Sequence, residues 1–206
     1  MRRMLPAAVL AGVVIAVVTA VVGQLDADPD LDPVRLTLGE YAALDPDRSV
    51  EGALAVLGLA ALALPAALRG AGAPVQGWPE RLLLAWGGGL APVTLLPTVV
   101  AGKAWTGHLS VAALGALPVA AGLLAPRLAA AGPWRGAARP LEWLALAGGL
   151  GLAALTYVAL PGDRVMIGLV ERALLGVEAG TIALLAAWAV RLTRPVPVPS
   201  GPHFAQ

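Results

Sequence analysis

The chain has 206 residues, 58% of them hydrophobic and 13% charged, with a mean hydropathy of +0.79, against about 45–50% apolar and about 25% charged in soluble domains. A soluble globular protein is excluded. A formal charge of +1, from 14 Lys and Arg against 13 Asp and Glu, provides no field to gather nucleic acid, and the absence of cysteine removes disulfides, thiolate metal sites and Cys nucleophiles.

A helix needs about 20 apolar residues to cross a hydrocarbon core of about 30 Å. Six such runs, at 4–23, 52–68, 82–101, 109–125, 141–160 and 165–190, predict an all-α polytopic membrane protein with six transmembrane helices in one domain over 1–194. Membrane lipids are then its immediate partners. The first run follows Arg2 and Arg3, but it is longer than a signal-peptide core and no small-x-small cleavage site precedes Gln24, so it reads as a retained helix. With the N-terminus cytoplasmic, one side collects Arg2, Arg3, Arg69, Arg81, Arg127, Arg135, Arg139, Arg191 and Arg194. The other holds only Arg35, Arg48, Lys103 and Arg164, so both termini are expected inside. Trp78, Trp134, Trp143, Trp188 and Trp105 fall near predicted helix ends, where indoles favour the interface.

The outer loop 24–50 is the one acidic block, with Asp26, Asp28, Asp30, Asp32, Glu40, Asp45 and Asp47 against Arg35 and Arg48. Its alternating Asp residues fail the EF-hand pattern, since the sixth position would be Leu31 and the twelfth Thr37. A solvated turn broken by Pro29 and Pro33 is the simpler reading. Residues 36–44 have the apolar content for a short helix on the outer face, with Tyr41 dipping into the interface.

The third and fourth spans carry Gly87, Gly88, Gly89, Pro92, Pro97, Gly115 and Pro118, which predicts kinks. Broken helices expose backbone to substrates in transporters, whereas glycines also let helices approach closely. The last span holds a GxxxG match, Gly176 to Gly180, and three charges: Glu171, Arg172 and Glu178. Counted at about 1.5 Å per residue from Arg164, the first two lie about 10–12 Å deep and Glu178 about 21 Å deep. Charge at such depth needs a partner or a purpose. Thr94, Thr98, His108, Tyr157 and Lys103 fall at a similar outer level. His108 alone makes neither a zinc nor a haem site, no serine sits in a Gly-x-Ser-x-Gly elbow, and no Walker, dinucleotide or HExxH pattern occurs. Nothing calls for a cofactor or a bound metal. The tail 195–206, rich in proline, is read as disordered and cytoplasmic.

Three stretches resemble the bacterial membrane family of domain of unknown function 998. Asp32-Pro33-Val34, then Thr37, Glu40 and Tyr41, is similar to its outer-loop pattern. Leu96-Pro97-Thr98 with His108 downstream resembles its Phe-Pro-Thr-Asp and later His, with Leu96 replacing the aromatic and Val99 standing where the Asp would be. Gly168-Leu-Val-Glu171-Arg172 resembles its last-helix Gly-x-x-Gln/Glu-Arg. The resemblance implies six helices and a bacterial inner membrane, and supplies no activity.

The leading expectation is a non-enzymatic protein with an outward polar pocket for a small molecule or lipid headgroup. Arg172 would be its anion contact, with Glu171, His108, Thr98 and Tyr41 around it. The alternatives are a proton-coupled transporter or exporter subunit carrying protons on Glu178, working as a homo-oligomer; a membrane enzyme acting on a lipid or isoprenoid with Glu171 or His108 as acid or base; and a structural subunit packed on a membrane-protein partner.

Overall fold

The computed structural model describes residues 4–25, 32–44, 49–95 and 103–194; within these, only the backbone is described at 25, 42–44, 91–95 and 103–112. The helices are α1 (Met4–Leu25), α2 (Leu38–Leu44), α3 (Ser49–Gly70), α4 (Trp78–Leu95), α5 (Lys103–Ala130), α6 (Arg135–Ala159) and α7 (Ile167–Thr193), with one 3-10 turn at Gly132–Trp134. There is no strand among the described residues.

Five helical segments are long and apolar enough to cross a membrane: Met4–Gln24, Ser49–Gly70, Ala113–Ala130, Gly132–Ala159 and Ile167–Thr193. They mark a membrane protein. The described part of α4 falls short of that hydropathy because Glu80 and Arg81 open it and Gly87, Gly88, Gly89 and Pro92 dilute its leucines. The apolar run predicted there continues to 101, and 96–101 lie outside the described residues, as do the acidic positions 26–31 and 45–48 and the tail 195–206.

Each long helix packs on the next in chain order, and α7 returns to α1, so α1, α3, α4, α5, α6 and α7 close a ring with α3 and α7 meeting across it. α1 is apolar on all sides. It turns Val9, Val13 and Ala16, spaced i, i+4 and i+7, into the ring and leaves Ile15, Val18 and Val22 exposed, as a lipid-facing helix does. The centre is apolar, with Leu64, Leu68, Leu128, Leu141 and Ile182 fully buried. Short connections fix neighbours: α3 ends in a Schellman motif, with Ala73 N–H donating to Leu68 O, Gly72 N–H to Arg69 O, and Gly72 at φ 76°.

The expected glycine breaks are used for close approach. α4 runs unbroken through Gly87 and Gly89, where a Cβ would crowd Leu62 on α3 and Ala113 on α5 respectively. The GxxxG pair is not a packing seam, since Gly176 faces open space and Gly180 only touches Leu144. Tryptophans divide. Trp78 and Trp143 are exposed, as interfacial indoles should be, whereas Trp134 is buried beneath the α5 to α6 connection.

Candidate functional site

The segment 32–44 folds into a cap on the first turns of α7. Asp32 starts it: its Oδ1 accepts the Val34 N–H at 2.9 Å, and its carbonyl accepts from Leu36 at 3.1 Å. Thr37 then opens α2 in a reciprocal capping box, its Oγ1 accepting the Glu40 N–H at 3.2 Å while Glu40 Oε2 accepts the Thr37 N–H at 3.0 Å. This leaves the carbonyls of Pro33 and Leu36 without a helical partner and pointing at α7.

Arg172 takes both. Its Nη1 donates to Pro33 O at 2.6 Å, Leu36 O at 3.0 Å and Gly168 O at 3.0 Å, and its guanidinium lies 5.2 Å from the Tyr41 ring centroid. Its neighbour does the opposite job: Glu171 Oε2 accepts the Leu38 N–H at 2.7 Å. The two adjacent charges on α7 thus satisfy an acceptor pair and a donor on the same cap. Gly168 lets the surfaces meet, its N–H donating to Val34 O at 3.0 Å. A Cβ at Gly168 would overlap the Leu36 and Pro33 carbonyls.

The 160–166 loop adds the last contact. Asp163, Arg164 and Met166 all have left-handed φ, at 48°, 60° and 59°. The turn brings Arg164 to Glu40, with Nη2 donating at 2.7 and 2.9 Å to its two oxygens. Burial acts to raise the Glu40 carboxyl, but the Arg164 contact and the Thr37 hydrogen bonds outweigh it and hold it below the usual carboxylate range.

Beneath the cap lies a cavity of about 40 Å³, roofed by Leu38 and Gly39 of α2 and walled by Leu54 of α3, Gly89 of α4, Leu114 of α5 and Glu171 of α7. Glu171 is its one charged lining residue among those described. Two turns further along α7, Glu178 is 1% exposed, and neither of its carboxyl oxygens has a hydrogen-bond partner.

The sequence-selected residues therefore separate. Glu171, Arg172 and Tyr41 come together at the cap. Tyr41, expected in the membrane interface, is 1% exposed and packs with Leu38, Val50 and Leu54. Glu178 stands apart, deeper in the ring. Thr98 lies outside the described residues; His108 and Thr94 lie on α5 and α4, but their side chains are outside them too. Tyr157 is exposed. No group of three or more His, Cys, Asp or Glu that could hold a metal occurs among the described residues. The sequence reading missed Trp86, fully buried with an indole N–H that has no hydrogen-bond partner. Trp86 lies only four residues inside the predicted span 82–101, so nothing in the sequence set it apart from the interfacial tryptophans.

A family model described as a protein of unknown function, DUF998, matches residues 10–188, from α1 to α7. The chain belongs to the DUF998 family. No curated protein and no solved structure matches it. The stretches that carry the DUF998 resemblance acquire a geometric meaning: Asp32, Pro33, Thr37, Glu40 and Tyr41 from one stretch and Gly168, Glu171 and Arg172 from another are the two faces of a single junction between cap and α7.

Proposed function

We propose that this DUF998 protein is a non-enzymatic, six-span protein of the bacterial inner membrane, with both termini cytoplasmic and a capped pocket facing outward. The observation that carries the reading is that α7 commits Arg172 and Glu171 to hold 32–44 as a roof over a cavity that Glu171 also lines. Charges are costly in a span, and a roof over a cavity with a single carboxylate in its wall gives these a purpose. A cavity of about 40 Å³ admits a water-sized group. A small polar molecule or the tip of a lipid headgroup is therefore the ligand class, entering from the outer leaflet as the cap lifts. Arg172 donates to cap carbonyls, so Glu171 replaces it as the ligand contact, favouring a ligand that donates hydrogen bonds.

Native mass spectrometry of the protein extracted with its lipids tests this, comparing wild type with Glu171→Gln, which keeps an oxygen for Leu38 and loses the charge. A specific molecule retained by wild type and lost in the variant supports the pocket; equal retention, or none in either, overturns it. Orientation is read separately. The chain has no cysteine, so Val165→Cys should react with a membrane-impermeant maleimide in intact cells and Gln76→Cys should not.

A second reading, a proton-coupled transporter or exporter subunit, is favoured by Glu178: a fully buried carboxyl in mid-helix with no hydrogen-bond partner among the described residues is the kind of group such proteins use as a carrier.

A further inference from the structure

Glu178 and Trp86 are each buried and each lack a hydrogen-bond partner, one offering two acceptor oxygens and the other a single N–H. Each stands one step inward of residues that line the same cavity, Trp86 on α4 below Gly89 and Leu90 and Glu178 on α7 below Leu175. One water satisfies such a pair, accepting from the indole and donating to the carboxyl.

The pair also lies below the capped cavity. On α7, Glu171, Leu175 and Glu178 follow at i, i+4 and i+7, one stripe of the helix; on α4, Trp86, Gly89 and Leu90 follow at i, i+3 and i+4. Glu171, Leu175, Gly89 and Leu90 line the cavity, so Glu178 and Trp86 are the next residues inward on both walls. Seven residues separate the two carboxyls, a rise of about 10.5 Å along the helix, a span that a short chain of waters can bridge.

We propose that Glu178 and Trp86 form a buried proton site, hydrated through the capped cavity and supplied from the outer side by way of Glu171. This deepens the transport reading and rests on it. The ligand is a proton delivered as hydronium: a hydronium in the cavity gives one proton to a Glu178 carboxylate oxygen, the O–H bond of the neutral acid forms, and water remains. Metal and alkali cations are disfavoured because they want several oxygen ligands, and the described walls otherwise offer only leucine, alanine and glycine. Charges on the packed elements do not neutralise the site. α1 has none in its described length; those of α3 (Glu51, Arg69), α4 (Glu80, Arg81) and α6 (Arg135, Arg139, Glu142) lie toward helix ends; α2 has Glu40; and α5 has Lys103 and His108 near its start and Arg127 near its end. Among the described residues, Trp86 brings the buried, unpartnered N–H that stands one step inward of the α4 wall of the cavity.

Infrared spectroscopy of the full chain in lipid bilayers, exchanged from H2O to D2O, reads the site directly. The expected result is a protonated-carboxyl C=O band in wild type, absent in Glu178→Gln, that shifts on deuteration. The band should move to a different frequency in Trp86→Phe, and its exchange should slow in Glu171→Gln. A spectrum unchanged by Glu178→Gln, or a band that never shifts in D2O, would overturn the proposal. Should Glu178→Gln fail to fold, Trp86→Phe decides alone, an unmoved band counting against the site. The measurement is separable from flux: vesicles that carry no proton current while the band behaves as described would discard transport and leave the proton site.

Discussion

The two ends of α7 are held by different physics. At the outer end Gly168, Glu171 and Arg172 hold the backbone of residues 33–38 through directed hydrogen bonds. Toward the inner end Ile182, Leu185, Ala186 and Ala189 are buried at 0–1% exposure among apolar neighbours. There Trp188 Nε1 reaches off the helix to donate to Pro133 O at 3.1 Å, and Arg191 lies 5.1 Å from the Trp188 ring centroid. Apolar packing accepts many sequences of suitable volume, whereas a carbonyl pair in a turn needs a donor at one place. The C-terminal half of α7 is therefore held by packing, and its N-terminal half by directed contacts.

The contrast can be broken in order of size. Leu128→Ala, deep in the apolar half, should lower stability by about 2–5 kcal/mol in denaturant titrations of the detergent-solubilised protein, with the cap amides exchanging as in wild type. Arg172→Met should cost less, about 1.5–3 kcal/mol for hydrogen bonds to a charged donor, and should release the cap selectively, seen as faster hydrogen exchange at Leu36 and Leu38. Gly168→Ala should reproduce that pattern by pushing the same carbonyls away; a globally destabilised protein with a protected cap would contradict the junction. Glu171→Ala should loosen Leu38 by about 1 kcal/mol, and Glu171→Gln by much less, because the amide oxygen still accepts.

Acid should act on the same half. Glu40 titrates below the usual glutamate value of 4.5, so its contribution is complete above that value and is lost as pH falls through its lowered folded value. The cap should loosen only on the acid side of 4.5, and Glu40→Gln should flatten that response in exchange rates measured against pH. The smallest effect belongs to the inner rim. Arg69 and Glu80 pair at 2.6 Å, but the Arg69 side chain is 50% exposed, and Arg69→Ala should change stability by no more than about 1 kcal/mol.

Much of this was legible beforehand. Continuous hydrophobicity, all that a helix in lipid needs, pointed to apolar helices where α1, α3, α5, α6 and α7 lie, although the runs 109–125 and 141–160 begin six residues after α5 and α6 do. The short outer helix was also foreseen, two residues longer than it is. The unmatched depth of Glu171 and Arg172 marked them as needing partners on other elements. What was not legible was that these partners are backbone groups. Tyr41 was expected to dip into the interface from a short apolar helix, but Arg172 lies over its ring and the cap buries it. Trp134 was assigned to the interface because it falls near a predicted helix end, yet it is 1% exposed in the main apolar cluster.

The sequence by itself determined that this is a helical membrane protein, where its apolar segments run, and which charges stand out in them, because hydrophobicity and length act locally and can be counted. Only the tertiary structure decided what those charges touch. The Pro33 and Leu36 carbonyls, the Leu38 N–H and the inward stripe from Glu171 to Glu178 have no side-chain signature. They meet because a capping box turns residues 32–44 back onto α7.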